Sequence, residues 1–371
     1  MRRLTIDLDA IRANAAAIAS RVAPAKVLAV VKADAYGHGA VEVARALEDA
    51  EIYGFGVVDL AEARELRDAG ITAPILAWIH GPDADFAWAI DNGIELGLGS
   101  VAQLEAVASA SISSDRAESG PAIVHLKADT GLGRGGALGA QWEALTALAA
   151  QHQADGIIEV RGLWSHLANA SRGSDVAQFQ AFDRAIEIAA AAGIHAPVTH
   201  IGASAVVWDH PGQERGMVRV GIALYGVSPF GDRTPRELGL RPAMELSADV
   251  VGVKRVPAGH GVSYGHRYVT DRETTLVLVP LGYGDGVPRG ATGRAQVWIN
   301  GRTYPISGTI AMDQFVVDVG DDEVAVGDRA VLFGDPALGY PSAADLAAAA
   351  GTIGYEIVTR MSPRPERRYE P

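Results

Sequence analysis

Short apolar runs rich in β-branched residues alternate with alanine-rich amphipathic stretches over the first two-thirds of the chain. The apolar runs fall at residues 26–32, 53–58, 74–79, 94–98, 122–128, 159–167, 197–204 and 217–225. Helical spacing of apolar positions marks residues 60–69, 101–110, 141–150 and 175–192 between them. Ser100 stands where a helix N-cap belongs, with Gln103 three residues on, and Gly70 and Gly193 stand where a helix C-terminal glycine belongs. Eight strands, each followed by a helix or loop, predict an α/β chain with a (β/α)8 barrel. A doubly wound sheet shares the alternation, but the count of eight and the nearly continuous apolar strands favour the barrel.

The texture changes near residue 234. Period-two alternation takes over at 246–256, 274–281, 295–299, 315–319 and 329–333. Asn300-Gly301 is a two-residue hairpin signal. A short helix is predicted at 343–350, capped by Ser342 and stopped by Gly351. Residues 353–356 read as a strand or loop fragment, and the Arg/Pro-rich tail from Pro363 as an extended, solvated end. The predicted division is therefore a barrel over 1–234 and a mainly β domain over 235–371.

Composition narrows the chemistry. The chain has no cysteine, which removes disulfides, thiolate metal sites and a cysteine nucleophile. Apolar residues make up 48% of it, too many for a disordered chain. With 32 Lys+Arg against 45 Asp+Glu the net charge is −13, which argues against a general nucleic-acid binder. No uncharged apolar run is long enough to span a membrane, and Asp7, Asp9 and Arg12 break up any leader-like segment, so the expectation is a cytoplasmic protein.

In a barrel, functional groups cluster where strands end. Lys32 follows five apolar residues in Val30-Val31-Lys32-Ala33-Asp34-Ala35-Tyr36-Gly37-His38-Gly39. It is a Schiff-base candidate if desolvated, or a rim lysine reaching for water. Lys127 ends the fifth run, and Gly131–Gly136 spells G-x-G-x-x-G around Arg134. That spelling is a weak dinucleotide fingerprint, because no acidic strand end lies at the required distance, so a loop presenting Arg134 is preferred. His166 ends the sixth run, Ser204 the seventh, and Arg219 interrupts the eighth just before Gly221 and Ile222. Ser204 with the Gly221 and Ile222 amides offers neutral donors at the usual barrel phosphate position.

These residues carry a resemblance. The segment Val30 to Gly39 closely resembles the pyridoxal-phosphate attachment motif of alanine racemases. The similarity continues through Lys127 to Arg134, Val218 to Gly226, Gly261 to Gly265, Gly308 to Gln314 and Gly354 to Arg360. It implies a homodimeric, pyridoxal 5'-phosphate-dependent isomerase that interconverts L- and D-alanine by a two-base mechanism on the cofactor aldimine, for peptidoglycan synthesis. It implies that Lys32 holds the cofactor and serves one face of the substrate Cα, while Tyr264 of a second subunit serves the other. Tyr36, Ser204, Tyr355 and the Gly221 and Ile222 amides would bind phosphate, Arg219 would face the pyridine nitrogen, and His166 would pack by the ring. Arg134 and the Met312 amide would meet the substrate carboxylate, with Lys127 carbamylated. No metal is implied. The family usually places its first few residues in the β domain.

The chain departs from the family pattern at Ala203, where Asn is usual, at His266, and in lacking an acidic residue after His166 until Asp175. Trp78 and Trp164 are large groups at strand ends, which bears on pocket size and substrate breadth. Two other readings keep the cofactor: a non-catalytic carrier, which needs no second domain, and a barrel decarboxylase, which usually relies on a cysteine that is absent here. A nicotinamide enzyme rests on Gly131–Gly136 alone.

Overall fold

The computed structural model describes residues 1–112 and 120–371. Strand β1 (Arg2–Asp7) opens the chain, and a helix (Leu8–Val22) leads to eight parallel strands. These are β2 (Lys26–Val30), β3 (Gly54–Val57), β4 (Ile75–Ala77), β5 (Ile94–Leu98), β6 (Ala122–Lys127), β7 (Ile158–Trp164), β8 (Val198–His200) and β9 (Met217–Val220). Among the described residues the sheet order is β8-β7-β6-β5-β4-β3-β2-β9. It closes through Gly216 N–H to Thr199 O (3.0 Å), Arg219 N–H to Gly202 O (3.0 Å) and an Ala203–Arg219 bridge. The eight predicted strands are all present as a closed (β/α)8 barrel. All but β5, which matches its run, are shorter than the apolar run, because the ladder ends before the last apolar residues turn into the loops. Strands β4, β5 and β9 are buried along their whole length, which accounts for their unbroken apolar reading.

The barrel belongs to a compact unit of Ala15–Ala35 and Gly39–Gly221. Its interior is not filled by aliphatic groups alone. Leu28, Leu76, Val198 and Met217 form one core cluster, with Tyr53 and Trp78 against it. Glycines make room for large rings: a Cβ at Gly162 would lie 2.0 Å from His125 Nδ1, and one at Gly97 only 2.9 Å from the Trp78 side chain. The predicted helices are present as Leu60–Asp68, Val101–Ile112, Ala140–Ala154 and Arg172–Ala191. Gly70 and Gly193 adopt φ of 89° and 95°, the left-handed conformation a helix stop requires.

The second unit comprises Met1–Asn14, Tyr36–His38 and Ile222–Pro371. Its further strands are β10 (Met244–Asp249), β11 (Gly252–Val256), β12 (Gly261–Val262), β13 (Tyr268–Val269), β14 (Thr274–Val279), β15 (Gln296–Ile299), β16 (Arg302–Pro305), β17 (Phe315–Gly320), β18 (Arg329–Phe333) and β19 (Glu366–Glu370). They form a six-stranded sheet β16-β15-β18-β10-β1-β19, a three-stranded sheet β11-β14-β17 and the β12-β13 pair. The Asn300-Gly301 hairpin joins β15 to β16, with φ of 47° and 85° in the turn. Ser342 and Asp345 form a capping box on the helix Ala343–Ala350.

Three expectations are corrected here. The run 246–256 is two strands, because the chain leaves one sheet for the other at Val250 and Val251, whose amides bond Asp328 O and Leu278 O. Residues 354–359 form a helix, Gly354–Thr359, supported by a Glu356–Arg360 pair; its initial glycine hides it from a propensity reading. The tail is extended as expected, but as a paired edge strand and not a free end: β19 runs parallel to β1, from Arg3↔Glu366 to Asp7↔Glu370.

Candidate active site

Strand β2 gives way to a rare backbone. Val31 N–H makes the last strand bond, to Gly56 O (2.9 Å), and Lys32 starts the turn Lys32–Gly37. Ala33, Asp34, Ala35 and Tyr36 all have φ between 52° and 54°, and Gly37 has 81°. This is a left-handed helical turn, which costs L-residues roughly 1–2 kcal/mol each. Side chains hold it in place. Glu62 accepts from Ala33 N–H (2.7 Å) and Val58 N–H (2.7 Å), and Asp34 Oδ1 accepts from Ala40 N–H (2.8 Å). Such strain persists where function fixes a geometry.

Around Lys32 the barrel unit gathers like charges. Burial pulls the Lys32 ammonium below its ordinary range, and Arg134 and Arg219 act in the same direction against Glu62. Lys127 is drawn down to about 8 by burial and then by Arg219 and Arg134. Its Nζ lies 4.5 Å from the centre of the Trp164 ring, and Arg219 Cζ lies 4.9 Å from the same ring. Trp164 stacks on His200 (5.7 Å, 5°) and tilts against Trp78 (6.2 Å).

Arg219 is the best-held group. Nη1 donates to His200 Nδ1 (3.0 Å) and His200 O (3.1 Å). Nη2 donates to Ser165 O (2.7 Å), His166 Nδ1 (3.0 Å) and Ile201 O (3.3 Å). None of these acceptors is a carboxylate. Burial lowers Arg219 to about 9, still charged at neutral pH. A guanidinium can only donate, so His166 Nδ1 is bare and the His166 proton sits on Nε2. Burial, then Arg219, pushes His166 down to about 2, so its ring is neutral.

The glycine-rich loop is organised by its own acid. Asp129 Oδ1 accepts from Gly131 N–H (3.0 Å) and Gly133 N–H (3.2 Å), so these amides face a carboxylate and not a pyrophosphate. The helix after it begins only at Ala140. Both observations remove the nicotinamide reading of Gly131–Gly136. Ser204 Oγ accepts from Gly221 N–H (3.2 Å), which joins two predicted phosphate donors. Asp175, the first acid after His166, is buried against His210 (3.1 Å).

The second unit holds the remaining candidates. Tyr36 lies 5.2 Å from Tyr225 and 6.4 Å from Tyr355, ring to ring, and His38 stacks on Tyr225 (4.4 Å). Burial raises the Tyr355 phenol to about 12, so it remains a donor. Tyr264 opens the 3-10 turn Tyr264–His266 and is 74% exposed. Thr309 Oγ1 donates to Tyr264 O (2.8 Å), and Ser263 Oγ to Thr309 O (2.6 Å), which ties this turn to the Gly308–Asp313 segment. Met312 is exposed, with its carbonyl accepting from Gly284 N–H (2.8 Å). The structure thus groups Lys32, Lys127, Arg134, His166 and Arg219 in one unit, and Tyr36 with Tyr355 in the other. The sequence reading gave no role to Glu62, Tyr225 or His200; only His200, a polar break in an apolar strand, carried a visible signal.

The chain is similar to known proteins over nearly its whole length. A family profile described as "Alanine racemase, N-terminal domain" matches residues 6–229, and "Alanine racemase, C-terminal domain" matches residues 243–369. The alanine racemase of Thermobifida fusca (strain YX) is 52% identical over 368 residues, covering 98% of this chain and 96% of its own. A crystal structure of alanine racemase from D-cycloserine producing Streptomyces lavendulae superposes with a TM-score of 0.96 at 45% identity, covering 100% of this chain and 97% of that one. The alanine racemase of Corynebacterium glutamicum gives 0.85 at 38% identity, with 100% and 99% covered.

Proposed function

The chain belongs to the alanine racemase family, whose members are pyridoxal-phosphate-dependent amino-acid racemases, and on that premise we propose that it interconverts L- and D-alanine. The observation that carries the reading is the cationic group Lys32, Lys127, Arg134 and Arg219, in which burial first, and then Arg134 and Arg219, lower both lysine ammoniums. Such a group suits a multiply anionic cofactor together with a carboxylate substrate. The neutral donors Ser204, Gly221, Tyr36 and Tyr355 suit a phosphate, with the Ile222 amide beside them in sequence. Pyridoxal phosphate, when bound, supplies the electron sink that acidifies the substrate Cα–H.

The residues then divide the work. Lys32 holds the cofactor and carries a proton at Nζ on one face of Cα. A depressed pKa suits this, because the amine must be uncharged to accept. Tyr264, from a second copy of the chain, carries a proton at its phenolic oxygen on the opposite face. The exposure of Tyr264 supports this outward role. Arg219 would face the cofactor ring as a fixed cation, still charged at neutral pH. Arg134 and the Met312 amide orient the substrate carboxylate, and a carbamate on Lys127 would neutralise Arg134. The D-alanine formed would serve peptidoglycan synthesis inside the cell.

The test is enantiomer interconversion by the purified protein, with the cofactor absorbance read on the same sample. Racemisation that needs Lys32 and follows the aldehyde cofactor is expected. Cofactor absorbance without entry of solvent deuterium at Cα would make the chain a carrier and overturn the proposal.

A further inference from the structure

A chain of hydrogen bonds runs from Arg219 through the barrel interior. His200 Nδ1 accepts from Arg219 Nη1 (3.0 Å), His200 Nε2 lies 2.9 Å from His125 Nδ1, and His125 Nε2 lies 2.9 Å from Glu95 Oε2. Glu95 also accepts from Tyr53 OH (2.8 Å) and Arg161 Nη1 (3.0 Å). The exposures are 5% for Arg219, 0% for His200 and His125, and 1% for Glu95.

Donor and acceptor counting leaves one arrangement of protons. Arg219 only donates, so His200 Nδ1 is bare and a neutral His200 carries its proton on Nε2. That proton occupies His125 Nδ1, so His125 is protonated on Nε2, which donates to the Glu95 carboxylate. Protonating either ring twice would set two donors face to face. Every hydrogen bond therefore points from the guanidinium to the carboxylate, and two neutral imidazoles separate a buried +1 from a buried −1.

We propose that Glu95 is a positioning residue for Arg219: as its relayed counter-charge, it fixes both histidine tautomers and so locks the guanidinium in the orientation the site uses. This rests on the reading above that Arg219 faces the cofactor. Burial alone would raise the Glu95 carboxyl, but the bonds from His125 and Tyr53 and the charge of Arg161 hold it below its ordinary value. Burial, then Arg219, holds His200 well below the imidazole range.

The far end of the relay is reachable. Glu95 and Arg161 line a cavity of about 500 Å³ together with Arg67, Thr72, Asn92 and Ile123. A truncated Glu95 would leave a hole open to a small carboxylate.

The experiment uses full-length protein, with and without pyridoxal phosphate, and histidine labelled with ¹⁵N. The wild type should show His125 and His200 as single Nε2–H tautomers with bare Nδ1. Glu95→Ala should mix the tautomers and lower kcat by about 10–100-fold, the range seen when a metal-bound imidazole loses its orienting partner, with a smaller change in KM. Formate should restore both readouts, and the isosteric neutral formamide, whose carbonyl can still accept from His125, should restore the tautomers but not the rate. Glu95→Gln, whose carbonyl still accepts from His125, should keep the tautomers but lose rate, and it stands in if Glu95→Ala does not fold. A wild-type His200 protonated on Nδ1, or a folded Glu95→Ala with unchanged spectra and kcat, overturns the inference. Correct tautomers in a protein that racemises nothing would instead sink the functional reading.

Discussion

Lys127 offers the sharpest quantitative prediction. Only an uncharged amine takes up carbon dioxide, in the net reaction amine plus bicarbonate to carbamate plus water. With Lys127 drawn down to about 8, about 0.1 of it is uncharged at pH 7, against about 0.0003 for a free lysine, an advantage of roughly 300-fold. The anion formed would meet Arg134 and Arg219, the two cations that depress the amine. The assay is ¹³C NMR of protein in ¹³C-bicarbonate. A carbamate carbonyl resonance is expected, absent from Lys127→Met. At fixed bicarbonate it should grow about tenfold per pH unit below 8 and level off above, because the charged amine is the form being lost. No resonance at saturating bicarbonate, or growth continuing past pH 10, would refute the reasoning.

Other substitutions test neighbouring parts. The Trp164 face favours an ammonium over an anion by about 1 kcal/mol, so Trp164→Leu should raise sub-saturating carbamate occupancy about fivefold in the same spectra. Gly37 has φ of 81°, and an added Cβ would lie 2.3 Å from Val358 O. Gly37→Ala should therefore cost at least about 2 kcal/mol, read as a lower denaturant midpoint and weaker cofactor retention. Arg219→Gln removes the charge that, after burial, most depresses His166. Its imidazole should titrate at higher pH, followed by ¹⁵N shifts; an unmoved titration would mean burial alone sets it.

What the sequence revealed follows from how local each signal is. The barrel strands were legible because burial on both faces leaves unbroken apolar runs, and Ser342 and Gly351 mark their helix by local cap chemistry. The left-handed turn at Ala33–Tyr36 was not legible. Nothing in Ala-Asp-Ala-Tyr favours positive φ strongly, and the carboxylate that steadies it, Glu62, comes from the helix Leu60–Asp68, beyond strand β3. Strand β19 was hidden because its partner β1 lies at the other end of the chain. Lys32, Lys127 and His166 stood out as polar residues at strand ends, Arg219 as a polar break inside a strand, and Arg134 as the cation of a glycine-rich loop. Glu95 and His125 are breaks of the same kind inside β5 and β6, but their meaning depends on His200 from a third strand and Arg219 from a fourth.

On the proposed reading, two groups on opposite faces of Cα, Lys32 and Tyr264, carry the protons. Exchange of the Cα proton in deuterated water, started separately from L- and D-alanine, tests it most directly in Tyr264→Phe. Racemisation should stop while one enantiomer alone continues to exchange, through Lys32. Exchange of both enantiomers with continued interconversion would contradict it.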